Sequence, residues 1–167
     1  MRACLQSCVV CAALVVCLAG CAGNTTQIFA TLNESASPTG DLPMNPLAWR
    51  VISSMVDPSN GTMSTLYGND VAVDYARTHS QHDYPPGAVL SVVTWTQMED
   101  PRWFGANIPS QAKSVEFFIV EAAKNGKPQI SYQLYTGNPL KKAAEPQPTA
   151  ARERTDDILS RRAAVMP

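Results

Sequence analysis

The chain has 167 residues, of which 45% are hydrophobic and 16% charged, with a formal net charge of −1 and five cysteines. That length fits one domain able to bury a core without metal or disulfide staples. The near-neutral balance excludes nucleic acid as a partner, because no basic excess is available to neutralise phosphates.

The elements begin with a targeting segment. Met1-Arg2 supplies a positive start, an apolar run follows from Cys8 to Ala19, and small residues close it at Gly20-Cys21. This pattern predicts a secretory signal peptide over residues 1–20. A run of about 12 apolar residues is too short for a transmembrane helix, which takes about 20. Leu18-Ala19-Gly20-Cys21 resembles the lipobox of bacterial lipoproteins, where the cysteine thiol takes diacylglycerol, the chain is cut before it and the new amino terminus is acylated. The resemblance implies a lipid, palmitate among its acyl chains, on Cys21 and a membrane as partner. The other reading is an ordinary signal peptide cut elsewhere. Ala22, in place of the aspartate linked to inner-membrane retention, leans the expectation toward a periplasm-facing anchor in the outer membrane. Cys4, Cys8, Cys11 and Cys17 fall within the expected leader, and no cysteine follows Cys21. With Cys21 lipidated, disulfide, zinc–thiolate and cysteine-nucleophile chemistry are excluded.

Residues 21–46 are rich in Thr, Asn, Ser, Gly and Pro without a sustained period, and read as a flexible tether. The folded domain is expected over 47–140. Trp49 to Val56 and Thr62 to Tyr67 form two strands across the turn Asp57-Pro58-Ser59-Asn60-Gly61. Asn69 is placed to cap a short helix running to about Arg77. Ala88 to Thr96 and Lys113 to Glu121 are the strongest strands, separated by an irregular loop from Met98 to Ser110. Asn125-Gly126 favours a tight hairpin into Gln129–Tyr135. Residues 141–167 hold the breaker Glu145-Pro146-Gln147-Pro148 and a last helix with Thr149 as cap, in which Ile158, Leu159 and Arg162 recur at helical spacing. The sum is an α+β domain: an antiparallel sheet of about five strands flanked by a short helix and a C-terminal helix.

Five landmarks in order carry a further resemblance: Trp49-Arg50, Gly68-Asn69-Asp70-Val71-Ala72, Pro85-Pro86-Gly87, Thr94-Trp95 and Val115-Glu116-Phe117. Over roughly residues 49–136 the chain resembles the cytochrome P460 family of periplasmic haem proteins. The resemblance implies an antiparallel sheet flanked by helices and a candidate homodimer. Haem-bearing members attach haem c through a C-terminal Cys-x-x-Cys-His, which this sequence lacks. Some members also cross-link a lysine to the haem; that position, three before the strand tryptophan, is Val92 here. No covalent haem c is therefore expected, no cofactor is expected, and the family's oxidation chemistry is not carried over.

The remaining chemistry is sparse. His79, His82 and Asp83 have spacing that would present two imidazoles and a carboxylate to one metal ion; the other reading makes both histidines solvated loop residues, or His79 the end of the preceding helix. Glu116 lies on the face of its strand opposite Val115 and Phe117. It is either a carboxylate in an apolar pocket, or a solvated residue on the outer face, or one paired with a cation such as Arg50. Trp95, Trp103 and Phe104 are candidates to line a pocket with Glu116, or to pack. No phosphate loop, nucleophile elbow or catalytic triad is present, so no catalytic residue is assigned. The leading expectation is a membrane-anchored, haem-free module binding a small ligand or an envelope protein. The alternative is a redox protein or other enzyme that holds haem or a metal non-covalently through His79 or His82. A structural lipoprotein that captures a partner through its last helix is the third reading.

Overall fold

The computed structural model describes residues 33–80, 83–122 and 128–164. The leader, Cys21, the tether as far as residue 32, His82 and the Asn125-Gly126 turn lie outside the described residues. Six strands form one antiparallel sheet in chain order: β1 (Arg50–Asp57), β2 (Thr62–Gly68), β3 (Val89–Glu99), β4 (Asn107–Glu121), β5 (Gln129–Thr136) and β6 (Lys141–Lys142). The sixth strand is the one the sequence reading lacked; at two residues it is too short to show a pattern. Helix α1 (Asp70–Thr78) joins β2 to β3, and α2 (Pro148–Leu159) follows the sheet. The fold is thus α+β.

Alternation sends side chains to two covered faces. One face carries Leu66, Leu90, Val92, Phe118 and Val120 and packs against both helices through Ala72, Val73, Ile158 and Leu159. The other carries Val93, Trp95, Val115, Phe117 and Tyr135. Phe117 meets Trp49 and Tyr135 edge-on, with ring centroids 6.3 and 5.7 Å apart. Because β3 and β4 are buried on both sides, they read as continuous apolar runs in the sequence.

The second face is sealed by residues 33–49, called the strap below. Ala36, Leu42, Met44 and Trp49 pack onto it, and the Trp95 indole donates to the Ala36 carbonyl at 2.7 Å. Leu140 N–H donates to Thr39 O, and Asp41 N–H to Leu140 O. At Gly40, φ is +141° and an added Cβ would stand 2.1 Å from the Leu140 carbonyl oxygen, so only glycine permits this approach. The described part of the expected tether, 33–46, is therefore part of the domain. Its apolar residues are too irregularly spaced to announce a strand or helix, yet they cover a sheet face that would otherwise meet water.

Gly68-Asn69 sets the position of α1. A Cβ on Gly68 would lie 2.7 Å from Ile52 Cδ1, because the first turn of the helix presses on β1 and β2 there. Asn69 Oδ1 accepts from Ala72 N–H and Val89 N–H, and its Nδ2 donates to Gly87 O. One side chain thus caps the helix and ties it to the start of β3.

Two boundaries differ from expectation. The last helix is entered through Gln147 with Pro148 at its first position, so Thr149 lies inside it and is not the cap; Arg162 falls beyond its end. The irregular loop expected from Met98 to Ser110 is mostly strand, since β3 runs to Glu99 and β4 begins at Asn107. Pro109 hid this, but it sits across from Gln97 next to a register shift, where a missing N–H is tolerated. The chain after α2 returns to β1, where Ala164 N–H donates to the carbonyl of Ile52 at the β1 irregularity.

Candidate functional site

The helix-bearing face changes character row by row across β2, β3, β4 and β5. The row nearest α1 is Gly68, Leu90, Phe118 and Tyr132; the next is Leu66, Val92, Glu116 and Leu134; the third is Ser64, Thr94, Ser114 and Thr136. Packing by the helices ends where the hydroxyl row begins. Beyond it opens a cavity of about 570 Å³.

Glu116 stands at the boundary, its side chain 7% exposed. Arg154 reaches it from α2 as a fork, Nε to Oε1 at 3.0 Å and Nη2 to Oε2 at 2.7 Å. The Tyr132 hydroxyl, from the adjacent strand, donates to Oε1 at 2.8 Å. Both carboxylate oxygens are thus taken, in the bidentate geometry that makes arginine pairs strong. The hydrogen bond to Glu116 holds the Arg154 guanidinium above its ordinary pKa. Burial, and then the bond to Glu116, pushes the Tyr132 hydroxyl well above the ordinary phenol value. Arg154 also meets Asp157, which in turn holds Arg161. Arg50, the cation first considered for Glu116, pairs with Asp70 and Asp74 at the start of α1 instead.

The cavity wall beyond this cluster is polar. Thr62, Thr94, Ser114 and Thr136 present hydroxyls, Asn60 an amide and Lys113 an ammonium; Leu134 is the one apolar lining residue. Its cations are Lys113 and Arg154; Arg154 is shared by Glu116 and Asp157, and Asp57 lies within electrostatic reach of Lys113.

The sequence candidates are spread over the molecule. Trp95 and Glu116 lie on opposite faces of the sheet, because Trp95 belongs to the face under the strap. Trp103 and Phe104 are 66% and 110% exposed in the β3–β4 connection, away from the cavity wall. A single pocket formed by Trp95, Glu116, Trp103 and Phe104 therefore does not exist; the alternation that separates Glu116 from Val115 also separates it from Trp95. His79 ends α1, where its ring stacks on Tyr75 with centroids 4.2 Å apart and its Nδ1 is 2.8 Å from the Thr78 hydroxyl. Neither His79 nor Asp83 lines the cavity. Among the described residues no three His, Cys, Asp or Glu side chains are grouped to hold a metal ion.

Arg154 and Tyr132 are the site residues that sequence reasoning missed. A signal existed for Arg154: it shares a helix face with Thr155, Ile158 and Leu159, and an arginine on an apolar stripe needs a buried partner.

A haem would require flat apolar walls on both sides of the macrocycle and an axial donor such as histidine, cysteine or methionine. The wall offers one leucine and none of those donors, and its tyrosine hydroxyl is bound to Glu116. Val92, at the family's lysine position, pairs with Glu116 across β3 and β4, so that position faces the same side with an isopropyl group. The described residues lining this cavity do not fit the group.

Among described residues no helix is long and apolar enough to cross a membrane. No curated protein matches the sequence. The family model for cytochrome P460 matches residues 47–153, which take in the whole sheet with Glu116 and Tyr132 and end one residue before Arg154. The chain belongs to the cytochrome P460 family.

Proposed function

We propose that this chain is an envelope lipoprotein, anchored by lipid at Cys21 in the outer membrane and facing the periplasm, whose cytochrome P460 domain binds a small polar ligand without covalent haem. The observation that carries the binding reading is the wall of the cavity, hydroxyls and an amide with the Lys113 ammonium, at the end of a face that is otherwise apolar. A hydroxyl row across four strands contributes nothing to a hydrophobic core, and it suits a molecule that offers several hydrogen-bond acceptors. Lys113, on the wall, is the ion partner for a small organic anion, a carboxylate or phosphate ester. Glu116 and Arg154 are the fixed rim of the site. With both carboxylate oxygens occupied, Glu116 does not serve as a proton acceptor, and the domain is a binding module.

The purified full chain should show no Soret absorption and no stoichiometric metal. Calorimetric titration with a panel of small carboxylates and phosphate esters should find a binder whose affinity falls about tenfold or more in Lys113→Ala, the loss of one charge-assisted bond. A Soret band, or a panel binder indifferent to Lys113→Ala and Thr94→Val, would overturn the reading.

A further inference from the structure

The β3–β4 hairpin runs past its neighbours. β2 pairs with β3 only as far as Thr96, and β5 pairs with β4 only from Ser114 onward. Beyond these points Gln97, Met98 and Glu99 pair with Pro109, Ile108 and Asn107 as a two-stranded ribbon. Its base is braced on both edges. Gln97 N–H donates to Gly61 O, its side chain donates to Thr62 O, and Asn33 Nδ2 donates to Pro109 O at 2.6 Å.

The tip is an ordered turn. Asp100 N–H donates to Ala106 O and Ala106 N–H to Trp103 O, while Asp100 Oδ1 accepts from Arg102 N–H. That framework holds Trp103 and Phe104 outward as neighbouring exposed rings, so their exposure is built in by the backbone.

We propose that Trp103 and Phe104 enter the interfacial layer of a lipid bilayer, giving the anchored domain a second membrane contact. Four observations choose this occupant. Indole and phenyl rings at the end of a narrow projection match the headgroup–acyl boundary, where amphipathic aromatics concentrate. Glu99 and Asn107, both exposed, stand directly below the turn, and Met98, 42% exposed, continues the apolar surface one pair further down the ribbon. Two rings fall far short of the roughly 800 Å² per partner that a stable protein interface buries, but they are enough to supplement a lipid. Finally, the chain enters the described domain on this same ribbon, at the Asn33–Pro109 bond. Residues 21–32 separate Cys21 from that point, a span of at most about 40 Å even fully extended. The inference rests on the lipid-anchor reading of Cys21 for its geometry.

The test uses the full chain purified from membranes and reconstituted into phosphatidylethanolamine–phosphatidylglycerol vesicles with brominated acyl chains. Trp103 is the most exposed of the indoles, since Trp49 is half-buried and Trp95 is buried. Wild-type fluorescence should be quenched by the brominated lipid, the quenching should disappear in Trp103→Phe, and it should weaken in Phe104→Ser. Equal quenching of wild type and Trp103→Phe would overturn the proposal. So would protection of Trp103 from aqueous iodide that needs no vesicles and grows with protein concentration, because a second copy would then be the occupant. Labelled palmitate incorporated by wild type but not by Cys21→Ala reports the anchor separately. Quenching without label overturns the anchor and keeps the tip; label without Trp103-dependent quenching does the reverse.

Discussion

The two faces of the sheet are built from the same four central strands and end differently. Under the strap, Val93, Trp95, Val115, Phe117 and Tyr135 form an apolar layer, the Trp95 indole is satisfied by the Ala36 carbonyl, and a smaller cavity of about 270 Å³ lies at its edge between the strap, Ala112 and Leu140. Under the helices, the apolar layer stops after two rows and is replaced by Thr94, Ser114 and Thr136 around a cavity. Alternation dictates that each strand serves both faces, but it does not dictate that both be filled. One face is committed to stability. The other is divided, and the Glu116–Arg154 pair marks the division by fixing α2 at the edge of the opening.

The sharpest way to break this contrast is to truncate one residue on each face. Phe117→Ala, under the strap, should cost about 3–5 kcal/mol in urea denaturation, whereas Thr94→Val at the cavity should cost under about 1 kcal/mol. Comparable losses would mean that the hydroxyl row is packed as a core. Next in size is Arg154→Met, which leaves Glu116 buried without its cation; a fully buried pair would lose about 3–5 kcal/mol, and the partial exposure of Arg154 reduces this to about 2–3 kcal/mol. Adding Glu116→Gln to that variant should recover most of the loss, as read from the urea midpoint. On the strap side, Gly40→Ala should cost about 1–2 kcal/mol through its positive φ and the Leu140 contact, with Trp95 emission shifting red as the strap lifts.

The smallest effect at neutral pH belongs to Tyr84, which is buried beside Tyr75 on the helix-bearing face. Burial, and then the neighbouring Tyr75, pushes its hydroxyl up to about 12. In the unfolded chain it ionises near the ordinary phenol value of about 10. The folded state therefore retains a proton that the unfolded state releases, so stability is fully present below about pH 10 and falls as pH rises toward about 12. Tyr132, whose hydroxyl is also raised, adds to the same decline. Melting temperature measured from pH 8 to 11.5 should fall less steeply in Tyr84→Phe than in wild type, with the two nearly superposed at pH 8.

The strands were legible because their patterns are local: β-branched runs between turn signals, and Asn69 just ahead of a helical period. The side on which Glu116 projects was legible for the same reason. Its partner was not, because Arg154 lies 38 residues further along the chain and is delivered by helix docking. The hydroxyl row was equally hidden, since each strand contributes one member and no stretch of sequence contains two in line. The strap was misread as a tether because irregular backbone carries no period. What identifies it is the need of Trp95 and Phe117 for a cover, a property of the finished sheet.

The strap has a consequence for the order of assembly. Each strand pairs with its immediate successor, so the sheet can grow hairpin by hairpin as residues 50–142 become available. Residues 33–49 are made before any of them, but their partners arrive late: Ala36 waits for Trp95, 59 residues on, Asn33 for Pro109, 76 residues on, and Gly40 for Leu140. The strap, made before every strand it covers, is thus among the last segments of the domain to find its place, because long-range closure follows local pairing.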